Sequence, residues 1–150
     1  MKIPLVVRSY ANGLKPFAFI GVKIGKSRGW VNGFVDTGSP FTLFSQQDIQ
    51  RLNIPLRQIC SSTPRTINLG GGVIYGYPVS GALLHILAED KTPVDISIPT
   101  VYLVQPIPNS KHSGEVVRGI VSIIGMDILL AHDLAIWFSP SKQKAYLEKA

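Results

Sequence analysis

The chain has 150 residues, a net charge of +6 and a hydrophobic content of 45%. A domain of this length can bury about 70% of its unfolded surface, so it can form a core without a disulfide or a metal ion. Cys60 is the only cysteine, which excludes an intrachain disulfide and a cysteine-based zinc site and favours a reducing compartment. We predict one domain over residues 1–150, located in the cytoplasm and without a cofactor.

The sequence gives no prediction of a leader, a membrane span or a nucleic-acid site. The first ten residues, MKIPLVVRSY, contain a short apolar run that Arg8 interrupts, with no small-residue cleavage site. The most hydrophobic stretch, residues 116–138, holds several ionisable side chains and predicts buried protein. The basic residues are scattered and not interleaved with aromatic residues, which argues against a nucleic-acid partner. The high apolar content instead favours a subunit interface.

Strand-forming runs dominate from the N-terminal side onward. Residues 17–24 (FAFIGVKI) and 30–36 (WVNGFVD) are rich in β-branched and aromatic residues, and the turn-prone GKSRG joins them, which predicts a hairpin. A short helix is predicted next, because Ser45 can cap it and Asp48 occupies the position of a capping-box acid. Ile49 and Leu52 form its expected buried stripe, and Asn53 ends it.

The middle of the chain predicts a long hairpin with a glycine tip. Residues 63–69 (TPRTINL) form one arm and residues 73–87 the other, with Gly70, Gly71 and Gly72 between them. Three consecutive glycines permit positive φ angles and allow the backbone to approach another molecule closely.

The C-terminal third alternates strands and short connections. Residues 94–105 predict a strand, residues 106–115 (PIPNSKHSGE) an irregular loop, and residues 119–125 (GIVSIIG) a fully apolar strand. Residues 126–133 (MDILLAHD) predict a short helix with Asp127 in its first turn, and residues 134–149 a last hairpin.

Several motifs of known chemistry fail on spacing or context. GKS at residues 25–27 lacks the earlier glycine and the following helix of a phosphate-binding loop. The three histidines have no metal-ligand spacing, and no serine lies in a G-x-S-x-G turn, so neither a metal site nor a serine hydrolase is predicted. Cys60 is interpreted as a buried structural thiol in preference to a nucleophile.

Asp36 lies in GFVDTGSPFTLFS, where an apolar run meets a turn. Alone, Asp-Thr-Gly is typical of an ordinary turn. However, the chain resembles the retropepsin-like aspartic proteases, the small single-domain branch that includes viral proteases and a group of ubiquitin-linked proteins. Three features carry the resemblance from about residue 17 to the end: FVDTGSP, the glycine-tipped hairpin, and IIGMDILLAHDLAIWF from Ile123.

The resemblance implies a fold and a set of roles. The fold would be mostly β, a closed-barrel-like acid-protease fold with one or two short helices. Asp36 would be catalytic, Thr37 would hydrogen-bond across a twofold axis to the partner's loop, and Gly38 would let substrate approach the turn. Ser39 would hydrogen-bond an outer carboxylate oxygen of Asp36. Pro40 departs from the family pattern and stiffens the loop exit.

The glycine-tipped hairpin corresponds in the family to the flap that closes over an extended peptide. The resemblance therefore assigns Gly70, Gly71 and Gly72, with Ile74 and Tyr75, to the flap and the binding of a polypeptide substrate. Ordinary strand packing is an equal alternative for Tyr75 and for Tyr77 nearby.

Peptide hydrolysis without a metal needs both a base and an acid, and two close carboxylates can supply both. The chain has a single Asp-Thr-Gly loop. A twofold axis would bring the Asp36 of a second copy beside the first, which predicts an aspartic endopeptidase that is active as a homodimer. The other aspartates have simpler explanations as helix caps or turn residues: Asp48, Asp90, Asp95, Asp127 and Asp133.

Several points stay open at this stage. The interface could use the N-terminal IPLVV or the C-terminal hairpin, and Asp127 could have a minor role near Asp36. The chain could instead be a dimerisation or peptide-binding module of the same fold with weak or no catalysis. A third alternative is a basic RNA-associated domain, whose binding would fall steeply with salt.

Overall fold

The structure is a computed structural model that describes residues 1–69 and 71–150, and this part of the chain contains ten strands and four short helices. The strands are Lys2–Tyr10 (β1), Gly13–Ile24 (β2), Ser27–Val35 (β3), Leu43–Phe44 (β4), Arg65–Leu69 (β5), Gly72–Leu87 (β6), Pro93–Gln105 (β7), Ser122–Ile124 (β8), Leu134–Ser139 (β9) and Lys144–Lys149 (β10). The helices are Gln46–Arg51 (α1), Leu56–Ile59 (α2), Lys111–Gly119 (α3) and Met126–Ala131 (α4).

The strands form one sheet that closes on itself. Their order is β5-β6-β7-β4-β8-β3-β2-β1-β10-β9, and β6 also pairs with β2 through Val22 and Leu84. This extra pairing completes a ring of β2, β3, β8, β4, β7 and β6. The predicted mostly β, closed-barrel-like fold is confirmed, although the described residues contain four short helices where the prediction had one or two.

The three predicted hairpins are present; the strands of the first begin earlier than predicted, whereas β5 begins two residues later than predicted. In the first, β2 and β3 are antiparallel from Phe17 opposite Phe34 to Ile24 opposite Ser27. The glycine-tipped hairpin is formed by β5 and β6, and the C-terminal hairpin by β9 and β10. Turn residues and apolar alternation were sufficient to predict all three, because each connects neighbours in sequence.

The predicted loop at residues 106–115 is wrong in its second half, where α3 begins. The Ser110 hydroxyl accepts a hydrogen bond from the Ser113 backbone N–H at 3.1 Å, which caps the helix. The Ser113 hydroxyl in turn accepts from the Ile107 N–H at 2.8 Å, and Val117 buries the apolar side of the helix. The helix continues to Gly119, so the apolar strand predicted from there shortens to β8.

The helix α1 begins at the predicted cap but satisfies it differently. The Ser45 hydroxyl accepts from the Asp48 N–H at 3.3 Å, as expected. The Asp48 carboxylate does not return to the Ser45 N–H, which donates to the Ser122 hydroxyl at 2.8 Å. Ser122 then donates to Asp48 at 2.5 Å. These buried hydrogen bonds connect α1 to β8. The sequence pattern does not predict this connection.

The core consists of two clusters of buried apolar side chains. The larger cluster lies within the ring of strands and includes Ile20, Val31, Leu84 and Leu103, each of which is almost fully buried. Each such side chain contributes about 1.5–3 kcal/mol of transfer free energy. The smaller cluster lies under the base of the β5–β6 hairpin and comprises Leu43, Ile74, Val104, Val117 and Ile123.

Two surface features bear on the sequence predictions. Cys60 is exposed, so the prediction of a buried structural thiol is wrong; the residue caps the short α2 at the surface. Within residues 1–69 and 71–150, no helix is both long and apolar enough to cross a bilayer.

Candidate active site

Asp36 follows the last residue of β3 and is joined directly to β8. The Asp36 N–H donates to the Ile124 carbonyl at 3.0 Å, which continues the parallel pairing in which Val35 lies opposite Ile124. Two of the three sequence features that carried the resemblance, FVDTGSP and the segment from Ile123, are therefore hydrogen-bonded neighbours. This hydrogen bond fixes the position of the Asp36 backbone at the end of β3.

The loop after Asp36 is a tight turn that leaves the acid accessible. The Gly38 N–H donates to Asp36 Oδ1 at 2.9 Å, and the Ser39 N–H donates to the Asp36 carbonyl at 3.2 Å. Asp36 is half-buried, whereas Thr37 and Gly38 are exposed beside it. The site thus presents one oriented carboxylate at the surface of the chain.

Ser39 is placed differently from the prediction. Its single O–H donates to the Phe41 carbonyl at 2.7 Å, so it is not directed at an outer oxygen of Asp36. The Phe41 N–H lies 3.4 Å from the same hydroxyl oxygen. The side chain stabilises the turn that follows the acid, because a serine hydroxyl close to its own backbone readily forms such local bonds.

Gly125 allows the loop to pack against the segment that precedes α4. A Cβ at this position would overlap the Phe41 carbonyl group and would lie 2.8 Å from the Ser39 carbonyl oxygen. The Met126 N–H donates to that Ser39 carbonyl at 2.8 Å. Only a residue without a side chain permits this close approach of two backbone segments.

Asp127 links α4 to the end of the active-site loop. Its carboxylate accepts from the Thr42 N–H at 3.0 Å and from the Thr42 hydroxyl at 2.7 Å. It also accepts from the Ile128 N–H at 2.9 Å, and the Thr42 hydroxyl accepts from the Gly125 N–H at 3.1 Å. With these bonds, Asp127 acts as a positioning residue for the loop that carries Asp36.

A cleft of about 270 Å³ lies between the loop and the first arm of the β5–β6 hairpin. The loop contributes Asp36, Gly38 and residues 39–41, and β5 contributes residues 65–69. The arrangement provides an accessible carboxylate in the lining of a cleft.

The glycine tip of the hairpin rests against α3. Gly70 lies outside the described residues, and Gly71 has a φ of 78°. A Cβ on Gly72 would lie 2.5 Å from Val116 Cγ2, and the Gly71 carbonyl lies 3.4 Å from His112 Nε2. The contact with α3 therefore favours a residue without a side chain at Gly72.

Two of the predicted flap residues have different surroundings. Ile74 is fully buried in the smaller core cluster, which corrects its assignment to substrate binding; it anchors the hairpin. Tyr75 forms an edge-to-face pair with Tyr77, with ring centroids 6.1 Å apart. Desolvation raises the pKa of the Tyr77 phenol, and the nearby Cys60 adds to the rise.

The sequence reasoning missed the residues that line the cleft from β5. Arg65 lies over the Phe41 ring, with its guanidinium carbon 4.2 Å from the ring centroid. Thr42, the partner of Asp127, was missed as well. No local pattern marks these residues, because their roles depend on which distant strands become neighbours.

Neither a protein-family model nor a curated protein sequence matches this chain. Among solved structures, it is similar to a retropepsin-like aspartic protease from Rickettsia conorii, with a TM-score of 0.54 and 16% identity. That match covers 98% of this chain and 89% of the other. The EIAV protease in complex with the inhibitor HBY-793 matches with a TM-score of 0.45 and 16% identity, over 83% of this chain and 93% of the other. This chain has a retropepsin-like fold.

Proposed function

We propose that residues 1–150 form an aspartic endopeptidase domain that is active as a homodimer, with one Asp36 from each chain. The observation that carries the proposal is the accessible Asp36 carboxylate, which lies on a loop braced by Ile124 and α4 in the lining of a cleft. The retropepsin-like fold supports the same function. The substrate would be an extended polypeptide that lies between the loop and the β5–β6 hairpin.

The chemistry follows from two carboxylates at short range, as is established for aspartic proteases. Two close carboxylates cannot both ionise, so one stays protonated while the other is charged. The charged Asp36 takes a proton from a water molecule, and the water oxygen attacks the peptide carbonyl. The protonated Asp36 donates its proton to the carbonyl oxygen, and a later proton transfer to the nitrogen breaks the peptide bond.

A second copy of the chain is the best source of the second carboxylate. The two other aspartates that are not exposed are occupied: Asp48 binds Ser122 and Arg51, and Asp127 binds Thr42. The exposed Thr37 beside Asp36 also becomes a natural contact across the twofold axis.

The strand order favours the C-terminal hairpin as the dimer interface. In the described chain β9 pairs only with β10, so the other edge of β9 offers free backbone N–H and C=O groups. Such an edge readily pairs with a strand from another chain. The N-terminal β1 is engaged with β10 through its first half and with β2 through its second half.

Replacement of Asp36 by asparagine tests the proposal. An amide can act neither as base nor as acid, so we expect the peptidase rate to fall by at least about 1,000-fold. Analytical ultracentrifugation should show an unchanged dimer. The matched control is Asp90→Asn, which removes an exposed acid in a turn and should leave the rate unchanged. Retained activity in the Asp36→Asn protein would overturn the assignment.

The pH dependence offers a separate test. Because activity needs one charged and one protonated Asp36, the rate should follow a bell-shaped curve centred on the acid side of neutrality. At low pH both carboxylates are protonated and the base is lost, whereas at high pH both are charged and the acid is lost. A rate that is flat from acid to neutral pH would contradict the shared-proton mechanism.

A second candidate function is a peptide-binding or dimerisation module of the same fold with little or no catalysis. It is favoured by Ser39, whose hydroxyl is directed at the Phe41 carbonyl and away from Asp36. A crystal structure of the assembled protein distinguishes the two. The two Asp36 carboxylates should lie within hydrogen-bonding distance in an enzyme, whereas a wide separation or a strict monomer favours the module.

A further inference from the structure

Arg65 is a cation at the edge of the cleft that contains Asp36. It lies on the β5 arm of the hairpin, and its guanidinium is stacked over the Phe41 ring at 4.2 Å. Both residues line the same cleft as Asp36. The exposed side chain of Arg65 therefore faces the path along which a peptide would lie.

The stacking partner of Arg65 is held in place on several sides. The Phe41 ring makes an edge-to-face contact with Tyr102, with centroids 5.2 Å apart. The Phe41 carbonyl accepts from the Ser39 hydroxyl at 2.7 Å. The Arg65 backbone is fixed in register opposite Gly76. The guanidinium thus rests on a rigid platform, which lowers the entropy that it loses when it binds a ligand.

The stacked guanidinium keeps its hydrogen-bonding capacity. A guanidinium above an aromatic ring still carries five N–H donors, and these match the two oxygens of a carboxylate. In the described part of the chain, the ion pairs within 4.0 Å involve Arg51, His85 and His112, and none involves Arg65. A guanidinium without an ion-pair partner at the edge of the cleft can bind the carboxylate of an acidic side chain in a substrate.

We propose that Arg65 determines substrate specificity by binding the carboxylate of an aspartate or glutamate in the peptide. The inference rests on the proposed function and names its substrate class: extended peptides with acidic side chains away from the cleaved bond. Next to the bond itself, a substrate carboxylate would be repelled by Asp36. In a twofold dimer each chain contributes one Arg65, so the preference should occur at two positions, equally far before and after the bond.

The test uses an extended peptide with apolar residues around the central bond and glutamine at every outer position. Each glutamine is replaced singly by glutamate, and kcat/KM is measured at about pH 6, where a free glutamate, with a pKa of about 4.3, is charged. We expect about a tenfold increase at one position on each side of the bond, and a larger increase when both carry glutamate. Below about pH 4 the preference should disappear as the glutamate protonates.

Variants of Arg65 separate charge recognition from packing. Arg65→Met keeps an apolar chain over Phe41 and should abolish the glutamate preference, measured as the ratio of kcat/KM for the glutamate peptide to kcat/KM for the all-glutamine peptide. Arg65→Glu should reverse the preference in favour of lysine at the same positions. The control Arg57→Met removes an exposed arginine on α2, outside the cleft lining, and should leave the preference unchanged. An unchanged preference in Arg65→Met would overturn the inference.

Binding measurements keep this inference distinct from the proposed function. If no peptide is cleaved by the unaltered protein, the peptidase proposal fails, and the affinities of the same peptides are measured by fluorescence anisotropy. Tighter binding of the glutamate peptides that depends on Arg65 supports the carboxylate subsite even then. Equal affinity for glutamate and glutamine at every position contradicts it.

Discussion

The active-site loop and the glycine-tipped hairpin form the two sides of one cleft, yet they are held in place very differently. The loop is surrounded by backbone: Gly125 and Met126 pack directly against the carbonyl groups of Ser39 and Phe41. On the hairpin side, the nearest neighbours of a Cβ on Gly72 are side-chain atoms of His112 and Val116 on α3, and His112 also contacts the Gly71 carbonyl. The comparison indicates that the acid is held rigidly while the opposite side of the cleft can adjust to a substrate.

The largest expected effect comes from filling the close contact on the loop side. In Gly125→Ala the new methyl group would collide with the carbonyl groups of Ser39 and Phe41, and neither backbone segment can move without breaking hydrogen bonds. We expect a loss of at least about 3 kcal/mol in the free energy of unfolding, measured by urea denaturation.

A control in the same part of the chain is Gly119→Ala, where a Cβ has no neighbour within 4 Å. It should change stability by less than about 0.5 kcal/mol. A Gly125→Ala protein of unaltered stability would show that the loop is looser than the contact with Gly125 implies.

The next largest effect is expected from the polar link between the loop and α4. Thr42→Val removes the hydroxyl that donates to Asp127 and accepts from the Gly125 N–H, at a fully buried position. We expect a loss of about 2–3 kcal/mol, since the buried Gly125 N–H loses its acceptor and the half-buried Asp127 carboxylate loses a donor. Thr63→Val, at an exposed site, is the matched control and should have almost no effect. Equal stability of the two variants would contradict a bracing role for Asp127.

The smallest stability effect is expected at the hairpin tip, despite a similarly close contact. In Gly72→Ala the methyl group would lie 2.5 Å from Val116 Cγ2 and 3.0 Å from His112 Nε2, and the end of the hairpin can shift away from these two side chains. We expect a loss of less than about 1 kcal/mol. The displaced hairpin should nevertheless lower kcat/KM for peptides by about tenfold.

Measured together, the two glycine variants test the comparison itself. Gly125→Ala should affect mainly the free energy of unfolding, and Gly72→Ala mainly the kinetics. Losses of stability of equal size would contradict the conclusion that the two sides of the cleft differ in rigidity.

Local chemistry allowed much of this fold to be predicted from sequence. The hairpins, the Ser45 cap of α1 and the short helix beginning at Met126 all depend on residues close together in the chain. The barrel-like fold itself was predicted only from the family resemblance, because the ring of strands closes through the pairing of Val22 with Leu84, which are far apart in sequence. Residue patterns carry no information on such a pairing.

The errors have both local and long-range origins. Ser110 starts a helix inside what composition described as a loop, because its hydroxyl accepts from the Ser113 N–H of the first turn. Ile74 and Ser39 were assigned to the site because they match positions of the family pattern. In the fold, Ile74 is buried in the core and the Ser39 hydroxyl donates to the Phe41 carbonyl. Arg65 was missed because the strand pairing alone brings it to Phe41.

The central claim is that two chains share one active site through Asp36. It is tested most directly by mixing unaltered chains with Asp36→Asn chains at constant total concentration, under conditions in which dimers exchange. If both carboxylates are required, mixed dimers are inactive, and an equal mixture retains about one quarter of the full rate because pairing is random. A rate of about one half, falling linearly with the fraction of unaltered chain, would mean that each chain works alone and would contradict the account.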